Sequence, residues 1–326
     1  VIQTARANSL VPTEPLRLFL RSHSQSLALL LVLVALLGIG SLLSPNFSSM
    51  RNMLNLARKM VMILTMLGIG QTFVMLGGGI DLSVGALVKL VGIYSAGIIM
   101  GESNRVVPVS LLCLGIGAAV GLINGLVVTK LRVAPFIATL GMMSILRGIA
   151  FGYSTTPIGS VPESMRFLAR GEIGPLPVPL FFVAFFLVGG WFVLRYTSFG
   201  RHIYAIGGNE EVARLSGIEV DSTRILTYVL SGLLAAIAGL FMVSRMGVGE
   251  PDIGEGLELD SITAAILGGT SLAGGVGGVW GTLGGVLILG LIDNILNLAR
   301  VSSFYQLVVK GLIILVAVSL YRLDRK

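Results

Sequence analysis

Long apolar runs recur along this chain and constrain it more than any other feature. The hydrocarbon core of a bilayer takes about 20 apolar residues as a helix. Runs approaching that length lie at Leu27–Leu43, Met60–Leu76, Val84–Met100, Val107–Thr129, Ala134–Phe151, Val178–Leu194, Ile225–Ser244 and Phe304–Leu320. Another stretch, Ile262–Asn297, is interrupted by GGTSLAGGVGG. It divides into a short eighth span and a ninth starting near Val279, and the eighth also reads as half-helices dipping in from one side. The pattern predicts an all-α, polytopic membrane protein of about ten transmembrane helices with glycine-broken segments. Composition agrees. Hydrophobic residues make up 54% of the chain and charged residues 12%, against about 25% charge in a soluble domain. There is too little polar side chain to cover a soluble two-domain enzyme, and too much apolar surface for disorder. The basic flank before the first run (Arg17, Arg21) resembles that of a signal peptide. No small-x-small cleavage site follows it, so the run reads as a span.

Loop charge gives an orientation. With the N-terminus inside, the inner segments are 1–26, 77–83, 129–133, 195–224, 273–278 and 321–326. They carry 12 of the 23 Lys and Arg, and the outer segments carry 8. That bias favours both termini in the cytoplasm. Outer loop 245–261 adds five acids: Glu250, Asp252, Glu255, Glu258 and Asp260. The expected organisation is a cytoplasmic segment 1–26, a transmembrane domain 27–320 with a cytoplasmic loop 195–224, and a tail 321–326. In a membrane protein the net charge of +7 reflects basic cytoplasmic loops, and nucleic acid is not an expected partner. The one Cys (Cys113) and two distant His (His23, His202) predict no internal disulfide and no metal site.

Glycine is about twice as common as usual, 44 of 326 residues, and it clusters. Gly77, Gly78 and Gly79 end the second span, and residues 268–285 read GGTSLAGGVGGVWGTLGG. Consecutive glycines weaken a helix and let backbones approach closely. Unpaired backbone in lipid must be covered by protein or water. Two broken segments, one in each half, therefore point to a translocation path, with close helix packing as the plain alternative. Pathway candidates are Gln71, Gly77, Gly78, Gly79, Asp81, Ser83, Asn124, Thr139, Gly268, Gly269, Gly274 and Gly275. Asp81 reads either as a cap of the next helix or as a polar wall of the path. Gln71, Asn124, Thr139, Asp293 and Asn294 read either as partners for a hydroxylated solute or as links between helices. Lys89, Arg147 and Lys310 lie within spans, either snorkelling or facing the interior.

In the loop after Arg195, Asn209 followed by EEVARLSG reads as a short helix. Asn209 caps it, Glu210 and Glu211 sit at its positive end, and Gly217 ends it. It is either a docking element on the membrane face or an ordinary loop helix. Catalytic motifs such as GxSxG, HExxH, CxxC and the GxxxxGK[ST] phosphate loop are absent. The chain is therefore not expected to be an enzyme or to need a cofactor, and any ATP hydrolysis belongs to another chain.

Several stretches carry a family resemblance: SPNFSSMRNMLNLAR (44–58), GGGIDLSVGA (77–86), GLINGLVVTKLRVAPFIATLGMMSILRG (121–148), TSFGRHIYAIGGNEEVARLSGI (197–218), LDSITAAILGGTSLAGGVGGVWGTLGG (259–285) and SSFYQLVVKGLIIL (302–315). Over nearly the whole chain beyond residue 40 it resembles the permease subunit of bacterial ABC sugar importers, of the ribose/xylose/arabinose type. The resemblance implies a ten-span subunit that pairs with a second permease, as a homodimer, in the cytoplasmic membrane. It also implies a cytoplasmic ATPase subunit, an extracytoplasmic sugar-binding protein, and a monosaccharide substrate, ribose or a related pentose first. By the same resemblance Gly200, Arg201, Gly207, Gly208, Asn209, Glu210, Glu211, Arg214 and Gly217 form the loop that couples to the ATPase. Gly77, a third glycine where relatives often have two, and Lys89 depart from the common pattern. The rival class is a secondary transporter or facilitator for a small polar solute, which needs no docking loop.

Overall fold

The computed structural model describes residues 24–57 and 61–323. The expected inner segment 1–26 and tail 321–326 therefore fall largely outside the described residues, as does the expected start of the second span at Met60. Among the described residues are fourteen α-helices: α1 (Ser24–Leu43), α2 (Met50–Leu56), α3 (Met62–Leu76), α4 (Val84–Ile99), α5 (Val106–Thr129), α6 (Pro135–Tyr153), α7 (Glu163–Arg170), α8 (Val178–Tyr196), α9 (Ser198–Gly208), α10 (Glu210–Leu215), α11 (Val220–Met246), α12 (Leu257–Leu267), α13 (Val279–Leu298) and α14 (Ser303–Leu323). A short hairpin, β1 (Glu172–Ile173) and β2 (Leu176–Pro177), precedes α8. Ten of these helices match the ten expected spans. The structure adds α2, α7, α9 and the hairpin, which lie in stretches too short or too mixed to show as spans.

The loops sort to two ends of the bundle. At one end, here the junction face, lie residues 77–79, 130–134, 209–219 and 273–278. Gly275 N–H donates to the Leu76 carbonyl (3.0 Å), and Lys130 pairs with Asp221 (2.7 Å). At the far face, Ile158 bridges Gly249, Val161 N–H donates to the Gly247 carbonyl, and Arg170 donates to the Arg245 carbonyl. Helix α11 runs between the two ends, 27 residues or about 40 Å.

The core forms around α11. Its partner α5 carries Gly117, Gly121 and Gly125, one per turn. A Cβ on these would collide with Gly232, Tyr228 and Ile225 of α11 respectively. Small residues at that spacing let two membrane helices touch backbone to backbone. Buried Leu, Val, Ile and Met from α3 and α4 pack on the other side of α11, including Met66, Leu87, Val91 and Ile93. A second cluster joins α1 to α13 through Phe47, Leu64, Val286 and Leu289. Outward surfaces stay apolar. Only 17% of α6 is buried within the subunit, and it exposes Phe136, Ile137, Ile145 and Ile149. The fold is that of a multi-pass membrane protein.

One expected outer loop is resolved differently. Residues 247–256 do not stay at the far face. Gly249 packs on Gly92 and Ile93, Ile253 on Gly92, and Gly254 on Gly85. The chain thus descends along α4 for about three turns, roughly 16 Å. Helix α12 completes the crossing with 11 residues, about another 16 Å. A half-crossing made of turns and a half-helix together match a core of about 30 Å. Glu258 and Asp260 consequently leave the set of exposed outer acids, being 7% and 8% exposed.

Candidate functional site

The two glycine breaks meet at one point, and α9 meets them there. A Cβ on Gly207 would strike the Leu76 carbonyl and the Gly275 N–H, and one on Gly274 would strike Gly207 and Gly78. Gly78, Gly274 and Gly275 have φ of 79°, 91° and 73°, a region that side chains rarely enter. Three backbone segments can touch here only because none carries a side chain. Gly200 is also internal, against the Val193 and Leu194 carbonyls. Of the expected coupling residues, Arg201, Gly208, Asn209, Glu211, Arg214 and Gly217 are exposed, Glu210 is half-buried, and Gly200 and Gly207 are packing positions.

Helix α10 forms as expected. Asn209 Oδ1 accepts from Val212 N–H (3.0 Å), and Gly217 (φ 82°) ends the helix, with Ile218 N–H donating to the Ala213 carbonyl. Glu210 binds Arg224 (2.7 Å) and Arg214 (3.2 Å). Burial pushes the Glu210 carboxyl up, but Arg224 and then Arg214 outweigh it and hold it below the ordinary range. Arg224 Nε in turn donates to the Gly77 carbonyl (3.2 Å). A continuous polar tie therefore runs from α10 through α11 to the first glycine break.

That break borders a cavity of about 550 Å³, lined by Gly77, Gly78 and Gly79 with Thr129, Arg132, Pro135, Glu210, Arg224, Thr227 and Tyr228. Gly268 and Gly269 line a different groove, of about 820 Å³, with Arg201, Tyr204 and Trp280. The twelve expected pathway residues thus do not share one wall. Gly268 packs directly on Gly281, as the packing alternative required.

The expected polar candidates are tied to one another. Asp81 Oδ1 accepts from Ser83 N–H (2.9 Å) and Ser83 Oγ (2.6 Å), and Oδ2 accepts from Ser231 Oγ (2.8 Å). Asn124 Nδ2 donates to Ser83 Oγ (2.9 Å). The Gln71 amide, nitrogen toward the Asp81 carbonyl (3.1 Å) and oxygen toward its N–H (3.3 Å), completes the set. Thr139 donates to the Ile80 and Pro135 carbonyls. Asp81 thus holds residues 80–83 as backbone inside the protein, satisfying the groups that lipid would leave bare. Asp81 accepts the Ser83 backbone amide beside the start of α4 and is fully enclosed.

The charges within spans face inward. Lys310 of α14 lies between Asp260 (2.9 Å) and Asp293 (3.0 Å). Arg147 of α6 pairs with Glu258 (3.2 Å), and Lys89 lies 4.3 Å over the Phe151 ring. Asn294 exchanges hydrogen bonds with Asn52. Sequence reasoning placed Glu258 and Asp260 in an outer loop, because their partners lie 111 and 50 residues away. The acid pair spaced by two inside a short apolar helix, LELDSITAAIL, was the available signal. Among the described residues no group of three or more His, Cys, Asp or Glu could hold a metal ion.

Residues 52–318 match the family model described as the branched-chain amino acid transport system / permease component. The ribose import permease of Bacillus subtilis (strain 168) is 46% identical over 96% of this chain and 97% of its own. The ribose import permease of Escherichia coli (strain K12) is 44% identical over 91% and 92%. The L-arabinose transport system permease of the same strain is 40% identical over 91% and 90%. No solved structure matches the chain. The chain belongs to this family of membrane permease components of transport systems.

Proposed function

We propose that the chain is the membrane subunit of an ATP-driven importer for a monosaccharide, ribose or a related pentose. The observation that carries this reading is the meeting of α9 and α10 with both glycine breaks, through Gly207 and through the Glu210–Arg224–Gly77 tie. The substrate follows from the similarity to ribose import permeases. In this reading both termini and the junction face are cytoplasmic. A separate ATPase subunit docks on α10, which exposes Val212 (57%) and Leu215 (82%). A second copy of the permease pairs within the membrane, and a sugar-binding protein delivers solute to the far face.

The mechanism is a population shift between states open to either side. Closure of the ATPase pair moves α10. The ion pair to Arg224 carries that motion to α11 and to Gly77, at the wall of the cavity. Residues 80–83 separate this cavity from the far half of the bundle and act as the barrier. Glycines at 77–79 let that segment change conformation without moving side chains through packed helices. The test is uptake of labelled ribose into proteoliposomes holding the permease, its ATPase and its binding protein. Uptake is expected to require ATP and all three components. Uptake at an unchanged rate without the ATPase refutes the reading and favours a facilitator.

A further inference from the structure

Charged side chains are scarce in this chain, and four of them, Glu250, Asp252, Glu255 and Glu258, lie in the descent of residues 247–258 into the bundle. Asp252 and Glu255 are exposed along it, and Glu258 stands at its foot. Lys89 and Arg147 face them from α4 and α6. Glu258 sits against Gly85 in the first turn of α4, where a Cβ would collide with its carboxylate. Helices α4 and α12 therefore both begin beside this carboxylate, and each helix N-terminus favours negative charge. By the helix rise, the site lies roughly 16 Å from the junction face, near the middle of a bilayer core.

Two features separate this cluster from a structural ion pair. Lys310 shows what a closed one looks like here, with a carboxylate on either side. Arg147 instead makes one bond to Glu258, its side chain is 31% exposed, and the second Glu258 oxygen is buried without a side-chain donor. Lys89, 3% exposed, makes a ring contact and, among the described residues, no ion pair. A partly exposed charge at this depth, such as Arg147, favours a polar interior over lipid. The Gln71–Asp81–Asn124 network, by contrast, has its bonding capacity used internally.

We propose that Arg147, Glu255 and Glu258, with the buried Lys89 packed behind them, form a mid-membrane contact site for a neutral polyhydroxylated solute, reached from the far face past Asp252. This deepens, and rests on, the importer reading above. Sugar hydroxyls both donate and accept, matching the unused guanidinium N–H groups and the carboxylate oxygens. The exposed Phe151 ring and the stacked Tyr94–Tyr153 pair (4.3 Å between centroids) add flat apolar faces for the sugar's C–H groups. The segment 80–83 closes the site toward the junction-side cavity.

The experiment compares Glu258→Gln, Arg147→Gln and the double variant in proteoliposomes with the ATPase and binding protein. Uptake of labelled ribose, uptake of its deoxy analogues, and ATP hydrolysis are measured together. A contact site predicts that uptake falls about 10-fold more than hydrolysis in every variant, with a changed preference among analogues. Proportional loss of uptake and hydrolysis, recovery of uptake in the double variant as two amides replace a structural pair, or no change in any variant overturns the proposal. Failure of the wild-type assembly to take up any sugar overturns the importer reading itself, and the two results are distinguishable.

Discussion

Replacing Arg224 should uncouple ATP hydrolysis from transport while the spans remain assembled. Arg224 makes an ion pair with Glu210 at 2.7 Å, the two side chains 24% and 43% exposed. Such exposed pairs contribute about 0.5–1 kcal/mol. Its Nε bond to the Gly77 carbonyl is a charged hydrogen bond, about 1.5–3 kcal/mol. The tie between α10 and the first glycine break is then about 2–4 kcal/mol. A motion can bias a two-state equilibrium only by the free energy that differs between the states, and 1.4 kcal/mol is a factor of ten. Cutting the tie should therefore lower the transmitted bias by roughly 30-fold or more. In Arg224→Gln the ATPase should still co-purify and hydrolyse ATP, while sugar delivered per ATP falls at least about 10-fold. Arg224→Lys, which keeps one donor, should lie between. The assay is paired measurement of labelled-sugar uptake and phosphate release in proteoliposomes. Wild-type sugar per ATP in Arg224→Gln would refute this reasoning. Loss of the ATPase from the purified complex would move Arg224 from transmission to docking.

Three further outcomes are expected. Gly207→Ala should destabilise the junction by about 1–3 kcal/mol, as an added methyl does in a packed core, and lower the midpoint of thermal unfolding in detergent; an unchanged midpoint contradicts the three-backbone contact. Lys310→Met should cost about 3–5 kcal/mol by leaving Asp260 and Asp293 without their cation; expression yield should recover when both acids are also made Asn, and a failure to recover argues against the ion triad. The α10 anchor should depend on pH. Glu210 is held below its ordinary value, so its contribution is fully present above that value and is lost as pH falls through the lower folded one; amide exchange of α10 should stay slow from neutral pH into the ordinary carboxylate range and quicken below it, and quickening between pH 8 and 6 contradicts the assignment.

Much of this protein was legible from residue order because lipid imposes a local test. Each span must satisfy its backbone within itself, so hydrophobic runs alone located ten helices, and Asn209, Glu210 and Gly217 located α10 by rules that act within one turn. The internal packing of Gly207 was harder to read. A glycine beside a docking helix looks like surface, and only the approach of Leu76 and Gly275 makes it internal. The acids misled for a similar reason. Glu258 and Asp260 are polar residues in a stretch that reads as an outer loop, and they become buried because Arg147 and Lys310 arrive from α6 and α14.

The sequence by itself thus determined the solvent, the number of crossings, the places where helices break and the family. Tertiary structure alone decided which breaks touch, which polar groups bond one another and which charges stay open. Those outcomes depend on contacts between residues separated by as many as 242 positions, such as Asn52 against Asn294, Gly78 against Gly274 and Asp81 against Ser231. Local pattern carries no information about such pairs, because their energy arises only when packing removes both partners from water and lipid at once.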